Sequence, residues 1–108
     1  MKSFRTLDLA QEYYRTTKNL KLPPHLKDQF LRSSSSVALN LAEGNAKVSE
    51  KEKLRFYEIA HGSFRESVTI LDLEGISKPE VRKIAGELGA HLYRLTRAFA
   101  SRPDSVKF

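Results

Sequence analysis

The chain has 108 residues, contains no cysteine and carries a formal net charge of +6, from 19 basic and 13 acidic side chains. Its length suits one domain with one modest core, and the lack of cysteine excludes disulfides and cysteine-ligated zinc. No apolar stretch approaches the ~20 residues of a membrane-spanning helix, and the N-terminus lacks the apolar region of a signal peptide. We therefore expect a cytoplasmic protein.

The first predicted helix covers residues 3–20. Apolar and small side chains recur there at spacings of three and four, the period of an amphipathic helix; they are Phe4, Leu7, Ala10, Tyr14 and Thr17. The paired prolines in the next segment, KLPPHLKD, cannot continue this helix but can begin another.

The second predicted helix covers residues 24–43, and Gly44 is interpreted as its left-handed C-terminal stop. The four consecutive serines at 33–36 resemble a linker, but the apolar residues around them keep a helical register. On a helical wheel with Phe30 at zero, a core stripe lies within about 40°; its members are Leu26, Phe30, Val37 and Leu41.

A second stripe of this helix is polar and mostly small, and it lies beside the core stripe. Its members are Gln29, Ser33, Ser36, Asn40 and Glu43. A linker would not keep this spacing, so we interpret the serines as helical and as allowing close approach of another helix. We expect Ser36 and Asn40 to be buried against that helix.

The third predicted helix begins in the capping-box sequence SEKE at residues 49–52 and ends near Leu73, before Gly75. Its apolar arc covers more than half of the helix circumference. One bundle partner on each side could fill this arc, and a subunit interface would fill it as well. The arc includes Phe56, Ile59, Ala60, Phe64, Val68, Ile70, Leu71 and Leu73. Ser63 lies inside the arc and Glu66 lies near its edge.

The fourth predicted helix begins in a second capping-box sequence, SKPE at residues 77–80, with proline in the first turn. Its apolar residues are Val81, Ile84, Leu88, Leu92, Leu95 and Phe99. Four helices with short connections predict an all-α, up-down-up-down antiparallel four-helix bundle. We expect one domain over residues 1–102 and a flexible tail at 103–108.

Residues 29–66 resemble a known family of four-helix bundles. The resemblance rests on Gln29, Arg32, Ser36, Asn40, Ala42, Glu43 and Gly44, followed by Ile59, Ala60, Gly62, Ser63 and Glu66. This family includes proteins encoded in intervening sequences of bacterial 23S ribosomal RNA and the accessory variability protein of diversity-generating retroelements. The chain departs from the commonest family pattern at His61, where a basic or aliphatic residue is usual.

The resemblance implies a ring-shaped homopentamer, because studied members of the family assemble in that way. The retroelement branch of the family binds nucleic acid and a reverse transcriptase, so RNA or DNA and such a nucleoprotein enzyme are the partners that the resemblance implies here. Function is poorly defined for most members.

Two acidic patterns could suggest catalysis or metal binding. Glu58 and His61 have the Glu-x-x-His spacing of di-iron bundles, but such a site needs two of these motifs and further carboxylates. Glu43 and Glu66 could form an acid–base pair, yet no nucleophile or phosphate loop accompanies them. We expect a non-enzymatic protein without metal or cofactor. The predicted polar network is structural and contains Gln29, Arg32, Ser36, Asn40, Glu43, Ser63 and Glu66.

Basic residues are concentrated at the two ends of the chain. Residues 1–30 contain six basic and three acidic groups, and residues 78–108 contain seven and three, whereas residues 31–77 contain six and seven. The first and fourth helices are neighbours in a bundle, so their outer faces could form one surface for nucleic acid. The predicted phosphate contacts are Arg5, Arg15, Lys18, Arg82, Lys83, Arg94 and Arg97, with Tyr13 and Tyr93 as candidates for base stacking. The alternative is a structural or protein-interaction module.

Overall fold

The computed structural model describes residues 4–101, and over these residues the protein is all-α, with four helices and no strand. The helices are α1 (Arg5–Thr17), α2 (Pro24–Asn45), α3 (Glu50–Leu73) and α4 (Pro79–Ala100). Each helix packs beside two others, in the cyclic order α1, α2, α3, α4 and back to α1. The predicted tail lies outside the described residues.

The ends of α1 and α2 are closed by lysines from the following helix. Lys27 donates to the carbonyls of Lys18 and Leu20 at 2.6 Å each, and Lys53 donates to the carbonyl of Asn45 at 3.1 Å. These bonds satisfy carbonyls that a helix end leaves without partners. The helix α1 ends three residues earlier than predicted, since a turn closed by the N–H of Leu20 on Thr17 follows it.

The interpretation of Gly44 as a left-handed stop is wrong. Gly44 is a buried residue inside α2, and the only described glycine with positive φ is Gly75. A Cβ atom on Gly44 would lie 2.8 Å from Cε1 of Tyr57, closer than two carbon atoms approach without displacement. Gly44 is therefore glycine because α3 passes too near for any side chain.

Both predicted boundaries of α3 are confirmed. The Ser49 hydroxyl accepts the N–H of Glu52 at 3.1 Å and donates to the Glu52 carboxylate at 3.3 Å. At the other end, Gly75 has a φ of 64°, and the N–H of Ile76 donates to the carbonyl of Leu71 at 2.9 Å. This is the Schellman arrangement that a left-handed glycine permits.

The second predicted capping box is wrong in its register. The residue before α4 is Lys78, which makes no side-chain capping bond, and Pro79 occupies the first helical position. Proline suits that position because its missing N–H has no helical partner to lose. A helix capped by Ser77 would begin at residue 78, whereas α4 begins one residue later, at Pro79.

One hydrophobic core receives side chains from all four helices. Its largest fully buried members are Tyr13, Phe30, Leu9, Leu41, Leu71, Leu88, Leu92, Val37 and Val81. The stripes predicted for α2 and α4 face this core, with Leu26, Leu95 and Phe99 at its margin. None of the four helices has both the length and the apolar character of a membrane span.

The core face of α3 is rotated from the predicted arc. Tyr57 and Ser67 are buried at 2% and 0% exposure, whereas Ile59 and Leu73 are 43% and 70% exposed. The prediction ranked side chains by apolar character and so passed over two hydroxyl-bearing residues. Part of the predicted arc therefore lies outside the hydrophobic core.

Candidate nucleic-acid interface

The serines of α2 are helical, and one of them bonds directly to α3. The hydroxyls of Ser36 and Ser63 are 2.9 Å apart, and the Asn40 amide donates to both the carbonyl and the hydroxyl of Ser36 at 2.9 Å. Ser36 and Asn40 are half-buried. Further along the same contact, the Gln29 amide donates to the Glu66 carboxylate at 3.2 Å.

The hydroxyls of the other three serines donate hydrogen bonds to the backbone of α2. Ser33, Ser34 and Ser35 each donate to the carbonyl three residues earlier, at 3.2, 3.4 and 3.2 Å. This local bonding removes the cost of burying Ser33 and Ser34, which are 5% and 0% exposed. The run is therefore compatible with a helix, because three of its four hydroxyls bond to the backbone of α2 itself.

Arg32 and Glu43 do not join the polar contact. Arg32 pairs with Asp28 at 3.5 Å in the same helix, and both side chains are about three-quarters exposed. Glu43 pairs with Lys47 at 3.3 Å. Glu66 bonds to α2 at Gln29, which lies roughly 20 Å along the helix from Glu43 at 1.5 Å per residue. The two carboxylates therefore cannot act together as an acid–base pair.

Tyr13 is buried, so its interpretation as an exposed stacking residue is wrong. Its hydroxyl lies 2.7 Å from the Ser67 hydroxyl, which in turn donates to the carbonyl of Phe64 at 2.7 Å. The bond joins α1 to α3, two helices that do not pack side by side. Burial raises the pKa of Tyr13 to about 12, although the Ser67 bond opposes this shift.

A core stripe drawn along a different face of α1 would have included Tyr13. The buried residues of this helix are Thr6, Leu9, Ala10, Tyr13 and Thr17, again at spacings of three and four. The predicted register followed Phe4, Leu7 and Tyr14, and it omitted Thr6, which is buried. Thr17 donates its hydroxyl to the carbonyl of Tyr13 at 2.8 Å, which makes it compatible with the core.

Most of the predicted phosphate contacts are exposed cations on the adjacent helices α1 and α4. Arg5, Arg15, Lys18, Lys83 and Arg94 are exposed, and within residues 4–101 none of them takes part in a salt bridge. Arg97 is exposed too, and its guanidinium lies 5.4 Å from the centre of the Tyr93 ring. It also donates to the Tyr93 hydroxyl at 3.1 Å.

Arg82 differs from the other predicted phosphate contacts. Its guanidinium bonds to the Asp72 carboxylate at 2.9 Å and to the carbonyl of Ile76 at 2.8 Å. The side chain is half-buried and already committed to the turn between α3 and α4. Arg82 therefore positions this turn, and its charge is largely compensated by Asp72.

Glu58 and His61 lie in a cleft between α3 and α4. The cleft has a volume of about 210 Å³ and is lined by Glu58, His61, Gly62, Arg65 and Thr96. Burial, and secondarily the charge of Arg65, lowers the pKa of His61 below its usual value. Within the described part of the chain, no group of three or more metal-ligating side chains comes together.

These observations define an all-α protein of four helices around one core, with a polar α2–α3 contact and several exposed cations on α1 and α4. A family model described as 23S rRNA-intervening sequence protein matches residues 4–78, which include α1, α2 and α3. Because this match covers more than half of the chain, the protein belongs to that family, and the resemblance drawn from the sequence motif is confirmed. Searches of curated proteins and of solved structures find no match.

Proposed function

We propose that the protein is a non-enzymatic, oligomeric four-helix bundle that binds nucleic acid through the outer faces of α1 and α4. The observation that carries the proposal is the set of exposed cations on these two adjacent helices. Phosphate groups attract such cations without regard to base sequence. The family, whose description refers to a 23S rRNA-intervening sequence, is compatible with this function.

The proposal includes an antiparallel, up-down-up-down arrangement of the helices. Phe4, immediately before α1, and Phe99, near the end of α4, both pack on Tyr57, with ring centres 5.9 and 5.1 Å away. The start of α1 and the end of α4 therefore lie at the same end of the molecule. Opposite directions for these neighbours, together with the short connections, support the antiparallel arrangement.

The proposal also includes self-association, with the pentameric ring that the sequence resemblance implies. Leu39 on α2 and Ile59 on α3 are 68% and 43% exposed, on the two helices joined by the Ser36–Ser63 bond. Leu39 lies in a groove between α1 and α2, and we propose that this groove and Ile59 contact other copies of the chain. Copies of the basic face in one ring would raise the affinity for a polyanion through multiple simultaneous contacts.

Self-association is tested by light scattering on the purified protein. We expect an oligomer at micromolar concentration, and we expect the double variant Leu39→Glu, Ile59→Glu to be a folded monomer. A parent protein that is already monomeric would contradict the ring and remove its contribution to affinity.

Nucleic-acid binding is tested by fluorescence anisotropy with labelled RNA and DNA at low and moderate salt. We expect binding of both that weakens steeply as salt rises, because phosphate contacts release condensed counterions. The double variant Arg94→Glu, Arg97→Glu should bind more weakly and remain folded, since both side chains are exposed. Absence of binding at low salt would contradict the proposal.

A matched control distinguishes the basic face from net charge alone. Arg32→Glu with Arg55→Glu changes the charge by the same amount on α2 and α3, where both arginines are exposed. If this control assembles like the parent and weakens binding as much as Arg94→Glu, Arg97→Glu does, the binding depends on net charge and not on the cations of α1 and α4.

The second candidate function is a structural or protein-interaction module. The exposed Leu39 and Ile59 favour it, because they provide contacts for protein rather than for phosphate. A reverse transcriptase or another nucleoprotein is the partner that the resemblance implies. Stable assembly without nucleic-acid binding at low salt would favour this alternative.

A further inference from the structure

The cleft between α3 and α4 has polar walls of mixed charge. Glu58, His61 and Arg65 come from α3 and Thr96 comes from α4, around about 210 Å³ of space. Within the described residues, neither Glu58 nor Arg65 takes part in a salt bridge. The carboxylate of Glu58 and the guanidinium of Arg65 therefore line the cleft without an ion-pair partner among the described residues.

Gly62 keeps this cleft open. A Cβ atom at Gly62 would meet nothing within 4 Å, apart from its own helix backbone, and its φ is not in the left-handed region. Neither packing nor backbone conformation within the described residues requires glycine, although glycine is less favourable than alanine inside a helix. We attribute the glycine at position 62 to the open cleft, because a larger side chain there would project into it.

The mixed charge of the walls argues against a site for phosphate alone. Glu58 would repel a phosphate placed deep in the cleft, but its oxygens can accept N–H groups of a nucleobase. Arg65 can donate to a base carbonyl or to a phosphate, and the neutral imidazole of His61 offers both a donor and an acceptor. Donors and acceptors of this kind recognise the edges of unpaired bases.

An exposed aromatic residue lies one helical turn from the cleft. Tyr93 is three residues before Thr96 on α4, and the Thr96 hydroxyl lies 3.1 Å from the Tyr93 carbonyl. The Tyr93 ring is 53% exposed and is accompanied by the Arg97 guanidinium at 5.4 Å. An aromatic ring beside an arginine is a platform on which an unpaired base can stack.

From this juxtaposition we propose that the α3–α4 cleft binds an unpaired nucleotide, so that the protein prefers single-stranded over double-stranded nucleic acid. The base enters beside Glu58 and His61, Tyr93 stacks on the same or the adjacent base, and Arg65 and Arg97 contact the backbone. A paired base cannot reach the cleft, because its edge is occupied within the duplex. This inference rests on the proposed nucleic-acid function and specifies its substrate class.

The test compares one labelled RNA strand with the same strand in a duplex, and does the same with DNA, using fluorescence anisotropy. We expect the parent to bind each single strand at least several-fold more tightly than its duplex. Gly62→Leu, which fills the cleft, should remove this preference and leave duplex binding unchanged. Tyr93→Ala should weaken single-strand binding about tenfold, as the loss of one stacking contact does.

Gly86→Leu is the matched control. Gly86 is also an exposed glycine inside a helix, with nothing within 4 Å of an added Cβ, and it lies roughly 15 Å along α4 from Thr96. We expect this variant to keep the single-strand preference. The assembly state of each variant is measured by light scattering, since a change caused by Gly62→Leu would identify the cleft as a subunit contact and overturn the inference.

The outcomes separate this inference from the function on which it rests. Equal binding of single strand and duplex, or a preference that survives both Gly62→Leu and Tyr93→Ala, overturns the cleft inference while nucleic-acid binding stands. Failure of the parent to bind any strand at low salt overturns both. Loss of the preference in both cleft variants, with retention in Gly86→Leu, supports the site.

Discussion

The α2–α3 contact at Gly44 and the α3–α4 cleft at Gly62 use glycine under opposite packing conditions. At Gly44 an added Cβ would lie 2.8 Å from the Tyr57 ring, whereas at Gly62 it would meet nothing within 4 Å. Both residues lie inside helices and neither has positive φ. The comparison shows that a helical glycine can allow close approach in one place and preserve open space in another.

The two regions also differ in how their polar groups are used. Along the α2–α3 contact, Ser36, Asn40 and Ser63 bond to one another at 2.9 Å. In the cleft, Glu58 and Arg65 have no salt-bridge partner among the described residues. Satisfied polar groups stabilise a fold, while polar groups left open in a cleft are available to a ligand.

The largest effect is expected for Gly44→Leu. The new side chain would overlap the Tyr57 ring, which is only 2% exposed and cannot move into solvent, so the free energy of unfolding should fall by about 3 kcal/mol. Urea unfolding followed by circular dichroism measures the change. Ala42→Leu, at an exposed position of α2, is the control, and equal stability of the two variants would contradict the close-packing argument.

A smaller loss is expected for Ser36→Leu. Leucine would overpack the contact with α3 and remove the bond to Ser63, which should cost roughly 1–3 kcal/mol. Ser35→Leu is the matched control, because Ser35 faces a groove between α1 and α2 and its hydroxyl bonds only to the carbonyl of Arg32. If Ser36→Leu melts at the temperature of the parent, this stripe does not pack against α3.

Tyr13→Phe removes one buried hydroxyl and should cost about 0.5–1.5 kcal/mol at neutral pH. The loss is moderate because Ser67 retains its bond to the carbonyl of Phe64. The pH dependence of the free energy of unfolding provides a second measurement. Burial raises the pKa of Tyr13 to about 12 from 10.0, so the folded state holds this proton more tightly than the unfolded chain does.

The stability that depends on the Tyr13 proton is fully present below pH 10.0 and is lost as the pH rises through about 12. Tyr57, whose pKa burial also raises, contributes in both the parent and Tyr13→Phe, so the difference between the two curves isolates Tyr13. Parallel curves above pH 10.0 would show that Tyr13 ionises as readily in the folded protein as in the unfolded chain.

The smallest effect, of opposite sign, is expected for Gly62→Ala. The methyl group would enter open space, so the variant should gain roughly 0.5–1 kcal/mol of stability from better helix propensity. Gly44→Ala provides the comparison, because there the same change places a methyl group against Tyr57. A loss of stability in Gly62→Ala would mean that the glycine has a packing role within the protein.

Local signals in the sequence predicted the helices well. The capping box at Ser49 and the left-handed Gly75 set both ends of α3, and the paired prolines set the start of α2. These signals act within one or two turns of the backbone, so they can be recognised without knowledge of the neighbouring helices. The family motif was recognisable for the same reason, since it occupies fixed positions along the chain.

Signals that depend on a neighbouring helix were not predictable in the same way. The chain contains Gly44 and Gly75 in similar positions near helix ends, but only the tertiary structure shows that Tyr57 lies against Gly44 and excludes a side chain there. Likewise, the sequence does not distinguish Arg82 from the other basic residues of α4. Only the structure shows that Arg82 bonds to Asp72 and to the carbonyl of Ile76.

The sequence by itself determined that the protein is helical, where α2 and α3 begin, and which stripes of α2 and α4 face the core. These properties follow from periodicity and backbone chemistry, which a single helix expresses alone. The tertiary structure decided that Tyr13 is buried, that Ile59 is exposed and that Glu58, Arg65 and Thr96 share a cleft. Such properties depend on which helices lie side by side and how each is rotated, and no local sequence signal specifies that rotation.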